Sequence, residues 1–262
     1  MLAVFAWQQG GGGGSGGLLN AIAKAAERTR REPGGRAEMH TVVSSPGRSY
    51  TMTGQMVFET ETGRTGMVLT MPDPNSNGSV RMRGVVDGTV MYIQLGKLGS
   101  LPDDAQWMSL DLSSFGLEKD SPLPSNGDAM GELELLEAAT GGVQKLGTED
   151  VRGVRTTRYR GTIGVAEQAE QLRKEGAEEG LTSYTEENST PLQIEAWIDG
   201  EGLVRRMKYV KTDPVKDGKG PTTMDMRVDF LDFGDVPEIQ VPDSNEVFDG
   251  TDLAKGAISQ GN

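Results

Sequence analysis

The sequence predicts an α+β domain built round an antiparallel sheet, and three observations carry that expectation. Apolar and polar residues alternate with period two over most of the chain. Tight-turn pairs such as Asp87-Gly88 separate consecutive alternating runs, as hairpins require. Three stretches of helical periodicity interrupt the runs without breaking their order. Sequential hairpins imply antiparallel pairing, with one apolar and one polar face.

The elements follow in chain order. The opening MLAVFAW is a short apolar run with no positive charge before it. It reads either as the tail of a secretory signal or as an ordinary loose terminus. Gly10–Gly17 is a flexible Gly/Ser tether, so residues 1–17 are expected to stand outside the fold. From Leu18 the apolar residues Leu19, Ile22, Ala25 and Ala26 recur at helical spacing until Pro33-Gly34-Gly35 stops them. A packing helix is the simplest reading. In Tyr50–Phe58 the even positions Tyr50, Met52, Gly54, Met56 and Phe58 share one face. Met67, Leu69 and Met71 continue the pattern, and Val80 and Met82 alternate with Arg81 and Arg83. Asp87-Gly88 turns Arg81–Val86 into Thr89–Leu95, and Trp107–Leu112 is a further short strand.

A polar loop over Glu118–Asp128 leads to a helical patch carrying Met130, Leu133, Leu136 and Glu137. Val143–Asp150 and Val154–Ile163 form a hairpin about Arg152-Gly153. Glu167–Tyr184 is Glu/Lys-rich, helical and expected to be exposed, with a flap-like role as one reading. Three more strands follow: one with Leu192, Ile194, Ala196 and Ile198 on one face, then Leu203–Lys211, then Thr223–Phe233. The last stretch is acidic and expected to be irregular, with residues 254–262 as a disordered tail. Residues 18–253 thus read as one domain without a convincing internal repeat.

Bulk properties exclude several function classes. The chain has 262 residues, and its net charge of −13 disfavours a phosphate backbone as partner. It has no Cys, which removes disulfides, thiolate metal sites and cysteine nucleophiles. No stretch is long and apolar enough to span a bilayer. The only His is His40, in a predicted strand. The one match to G-x-S-x-G, Gly13–Gly17, lies in the tether and lacks the strained strand-to-helix turn of a nucleophile elbow. There is no HExxH, EF-hand loop or P-loop. No catalytic or metal residue is assigned, no cofactor is expected, and the chain reads as a non-enzyme.

Methionine stands out, with 13 residues, most of them on predicted strands, among them Met52, Met56, Met67, Met71, Met82, Met91, Met207, Met224 and Met226. Met is unbranched and polarizable, so it suits an apolar surface that meets ligands of variable shape; it also fills irregular cores. The alternating face proposes a lipid-cavity wall of Met52, Met56, Met67, Leu69, Met82, Met91, Ile93, Ile194, Met207, Met224, Met226 and Val228. Which face is concave follows from no single residue.

Four segments in order, Val85–Gly116, Val143–Ile163, Pro191–Tyr209 and Met224–Asp249, resemble the LppX/LprA/LprF/LprG-type actinobacterial lipoproteins. The stretches GVRTTRYRGTI, WIDGEGLVRRMKY and DFLDFG carry the likeness. The resemblance implies a strongly curved antiparallel half-barrel, LolA/LolB-like, with helices covering the concave face. It further implies an extracytoplasmic carrier that holds lipid or glycolipid acyl chains for transfer across or within the cell envelope. Envelope transport proteins would be its partners, and the outer face of the cytoplasmic membrane or the cell surface its location. The alternative on the same fold is an envelope sensor or protein-interaction module. The chain departs from the family at Ala6–Gly10, where the lipid-bearing Cys would be expected. A soluble secreted form, a mis-called start and a lost anchor all remain open on that point.

Overall fold

The structure, a computed structural model, describes residues 15–73, 76–94, 96, 101–115, 133, 136, 141–164, 192–213 and 220–260. Helix α1 spans Ser15–Arg30. Strands β1 (Gly34–Ser45), β2 (Arg48–Glu59), β3 (Arg64–Pro72), β4 (Ser79–Asp87), β5 (Val90–Gln94) and β6 (Trp107–Asp111) follow. Next come β7 (Gly141–Val151), β8 (Val154–Ile163), β9 (Leu192–Asp199), β10 (Val204–Asp213) and β11 (Thr222–Phe233). The chain closes with β12 (Val247–Asp249) and helix α2 (Thr251–Gln260).

The twelve strands among the described residues form one large, curved, unclosed sheet in the order β12-β6-β5-β4-β3-β2-β1-β11-β10-β9-β8-β7. Neighbours are antiparallel except β12 and β6, which run parallel. Consecutive hairpins build each half, as the turn pairs predict. The join between halves is long-range: β1 pairs with β11, setting Ala37 against Phe230 and Thr41 against Met226. No local signal marks that pairing.

The apolar face folds round one core. Ile22, Ala25 and Ala26 of α1 pack with Met56, Phe58, Met207, Val228 and Phe230, and with Leu133 and Leu136, which lie in helical turns. Helix α1 rests on β7, β9 and β10. Its last turn is tied down by Thr29. That hydroxyl donates to the Ala25 carbonyl at 2.7 Å and accepts from the Val204 amide at 2.9 Å. A buried hydroxyl so paired avoids its desolvation penalty.

Two expectations need correction. Helix α1 begins at Ser15, so the last three residues of the expected tether already belong to it. The expected disordered tail at 254–262 is helical to Gln260. Its order has a local cause. Asp249 accepts the Thr251 amide at 2.9 Å in the manner of an N-cap, and the Thr251 hydroxyl accepts the Asp111 amide at 3.0 Å. Helix α2 is thereby pinned to β6, and residues 243–250 add a 3-10 turn and a strand where irregular chain was expected. Most of the Leu133 patch and all of Glu167–Tyr184 lie outside the described residues.

Candidate apolar site and the polar face behind it

Strand register decides which side chains share a face, because residues directly opposite each other in a ladder point the same way. Thr41 faces Met52 in β2 and Met226 in β11. Met226 faces Tyr209, and Tyr209 faces Ile194. One row deeper, Met39 faces Val228, Val228 faces Met207, and Leu69 faces Met82. Deeper still, Ala37 faces Met56, Met56 faces Met67, and Gly84 faces both Met67 and Ile93. Met91 lies opposite Val86, and Met224 opposite Val43. All twelve residues named from alternation therefore occupy one face, the face that carries the core.

They are not equally buried. Met56, Met67, Ile194, Met207, Met226 and Val228 are fully enclosed, whereas Met52, Leu69, Met82, Met91, Ile93 and Met224 are only half-buried. Along β1, β2, β3 and β11 the gradient has a direction. At the Pro33 end the face is sealed by Phe58, Phe230 and Phe233, whose rings pack at 6.0–6.4 Å. Toward the β1–β2 turn it opens: Met52, Met71, Met82 and Met224 are half-buried and Tyr50 is 42% exposed. Sequence reasoning missed Met39, Met108 and Tyr209 on this face. Met39 was findable, since it alternates with Glu38 and His40.

The glycines of this face make room for methionine. A Cβ on Gly54 would stand 2.9 Å from a Leu69 methyl, and one on Gly84 would stand 2.9 Å from Met67 Cγ. One polar atom sits deep in the apolar surface. The Thr41 hydroxyl is buried, at 2% exposure, and has no hydrogen-bond partner. Nearby, Tyr209 donates to the Met226 sulfur at 2.9 Å, a weak acceptor.

The opposite face is polar and laced with ion pairs. Arg206 grips Asp229 with two donors, its Nη2 lying 2.9 Å from Oδ2. Arg152, at the β7–β8 turn, bonds both Glu38 and Asp229. In sheet order Asp229 is three strands from β8, about 14 Å on the flat. The hairpin tip must therefore fold back across this face. On the same face Trp197 is 4% exposed, donates to Glu149, and lies beneath its cross-strand neighbours Arg158 at 4.9 Å and Arg206 at 5.7 Å. Burial alone would raise the Asp229 pKa; the Arg206 hydrogen bond and charge, with Arg227 and Arg152, outweigh it and hold the carboxyl below its usual range. Glu195 behaves likewise: burial opposes the ionised form, but Arg158 and Arg160 lower its pKa.

A hollow of about 480 Å³ opens on this polar face, lined by His40, Thr53, Gln55, Arg81, Arg152 and Arg227 among others. It lies behind the methionine face, though Met39 and Gly54 of that face and the neighbouring Val68 also contribute to its lining. Among the described residues no group of His, Asp and Glu could hold a metal ion, and no helix is long and apolar enough to cross a membrane.

No family model and no curated protein matches the sequence. Similar solved structures include the lipoprotein LppX of Mycobacterium tuberculosis, at 16% identity and TM-score 0.45, covering 85% of this chain and 98% of that one. LprF of Mycobacterium bovis aligns at 13% identity and TM-score 0.44, over 87% and 97% of the two chains. MucB, in its complex with MucA from Pseudomonas aeruginosa, aligns at 16% identity and TM-score 0.36, over 86% and 61%. LppX and LprF are of the type that the sequence segments resemble. At these scores the family stays a resemblance carried by those segments.

Proposed function

We propose that this chain is a non-catalytic carrier of acyl-chain lipids, working outside the cytoplasm. One observation carries the reading: a methionine-rich sheet face, sealed by three Phe rings at one end, stays half-exposed at the other. Apolar surface left partly open in an ordered sheet is costly unless something covers it. Methionine adapts to chains of different length and unsaturation. Each methylene buried there contributes about 0.8 kcal/mol, so acyl chains bind with little polar recognition. The sequence resemblance to envelope lipoproteins agrees with lipid as ligand and with envelope transport proteins as partners. Helices shielding the rest of this face, and the twelve residues as its lining, belong to the same proposal.

Native mass spectrometry of the full chain from an actinobacterial host tests it. A co-purifying lipid of defined mass, lost on denaturation, is the expected result. A clean apo mass after incubation with host lipid extract would refute the carrier and turn the reading to a protein-interaction module.

A further inference from the structure

We propose that the hollow on the polar face is a binding site for a phosphate-type oxyanion, separate from the apolar face and its ligand. Its polar lining includes Glu38, His40, Arg81, Arg152, Arg227 and Asp229, and Met39 and Val68 add apolar surface. Three arginines line it against two carboxylates. That is a cationic surplus on a chain whose net charge is −13.

The surplus is real at the level of hydrogen bonds. Asp229 Oδ2 lies 2.9 Å from Arg206, 3.4 Å from Arg152 and 3.8 Å from Arg227. Three guanidinium groups thus converge on one buried carboxylate. Arg206 already holds it with two donors, and Arg152 divides itself between Asp229 and Glu38. Arg227 is left with a single long contact and an exposed fork of donors. At the far rim Arg81 is exposed and has no described partner.

Between these arginines runs a single cross-strand row. Arg227 faces His40, His40 faces Thr53, Thr53 faces Thr70, and Thr70 faces Arg81. Every member can donate a hydrogen bond, and an oxyanion with several oxygens uses such a row well. Guanidinium forks favour phosphate geometry. The hollow is also built at a conformational cost. Arg152 holds φ at 50°, in the first position of a tight hairpin turn where Asn, Asp or Gly is usual. Its side chain closes the wall of the hollow, so the strain goes with the position of that guanidinium.

The chain supplies its own reporter, because His40 is the only histidine and its imidazole gives one unambiguous NMR signal. Inorganic phosphate is titrated at fixed pH and matched ionic strength, with chloride as control. A saturable shift of the His40 signal, absent with chloride, is expected. Arg227→Gln should weaken it about tenfold, the loss of one charge-assisted contact, and Arg155→Gln should not. Glycerol 3-phosphate, run in parallel, tells a lipid-headgroup source from free phosphate; binding of either supports the site. A linear shift matched by chloride, or saturation untouched by Arg227→Gln, overturns it. Should Arg227→Gln fail to fold, the wild-type titration alone decides.

Discussion

The sharpest perturbation of the proposed carrier is the pair Met52→Asp and Met82→Asp. Both side chains are half-buried, and neither packs against the enclosed core, so two carboxylates there keep access to water. The stability loss should stay near 1 kcal/mol per site, the usual cost of a moderately disruptive substitution. The binding loss should be far larger. The two residues sit on β2 and β4, two strands or about 10 Å apart, so one chain crossing the face touches both. If each contacts about two methylenes, roughly four lose apolar burial at about 0.8 kcal/mol each. That is about 3 kcal/mol, or on the order of a hundredfold in affinity. Displacement of a fluorescent fatty-acid probe measures it, with circular dichroism confirming the fold. Unchanged affinity in a folded double variant would refute the placement of ligand on this face. Met56→Asp and Met207→Asp are the counter-example: at 1% and 0% exposure they bury a carboxylate without a partner, and should unfold the chain.

Three further outcomes follow from particular atoms. Thr41→Val removes a buried hydroxyl that has no partner, so urea denaturation of the lipid-free protein should show a gain of about 1 kcal/mol. A loss would mean that the hydroxyl is bonded in solution. Asp229→Asn should cost about 2 kcal/mol, less than the 3–5 of a fully enclosed pair because Arg152 and Arg227 keep solvent access. Because the folded Asp229 pKa is lowered, its contribution is complete above the ordinary 3.8 and disappears as pH falls through the folded value. Tm measured from pH 5 to pH 2 should therefore fall less steeply in Asp229→Asn than in the wild type; parallel curves would contradict the linkage. Thr251→Val strips the acceptor from the Asp111 amide and should free α2 from β6 at a cost of about 1–2 kcal/mol. Hydrogen exchange would then accelerate at Val247–Asp249; unchanged protection would show that the strand pairing alone holds this edge.

The faces of the sheet were legible because period-two alternation is a local property. Met52, Met56 and Phe58 declare one side of β2 without reference to any other strand, and the same holds for Met224, Met226 and Val228 in β11. Hairpin turns were legible for the same reason: Arg152-Gly153 turns as expected, and the turn signalled by Asp87-Gly88 falls one residue on, at Gly88-Thr89, because Asp87 pairs with Val90. What lay beyond reach depends on residues far apart in the chain. The β1–β11 pairing joins positions almost 200 residues apart and turns two stacks of hairpins into one sheet. The terminal strand and helix take their order from Asp111, on a strand about 140 residues earlier. Trp197 alternates onto the polar face and would be expected in solvent. It is buried because its cross-strand neighbours Arg158 and Arg206 lie over its ring and Glu149 of β7 accepts its indole N–H. Which residues share a face was readable from the alternation alone, since that needs only the pleat. Tertiary structure decided where the apolar face stays open and where the polar face is hollowed, since both depend on which distant segments fold back to cover them.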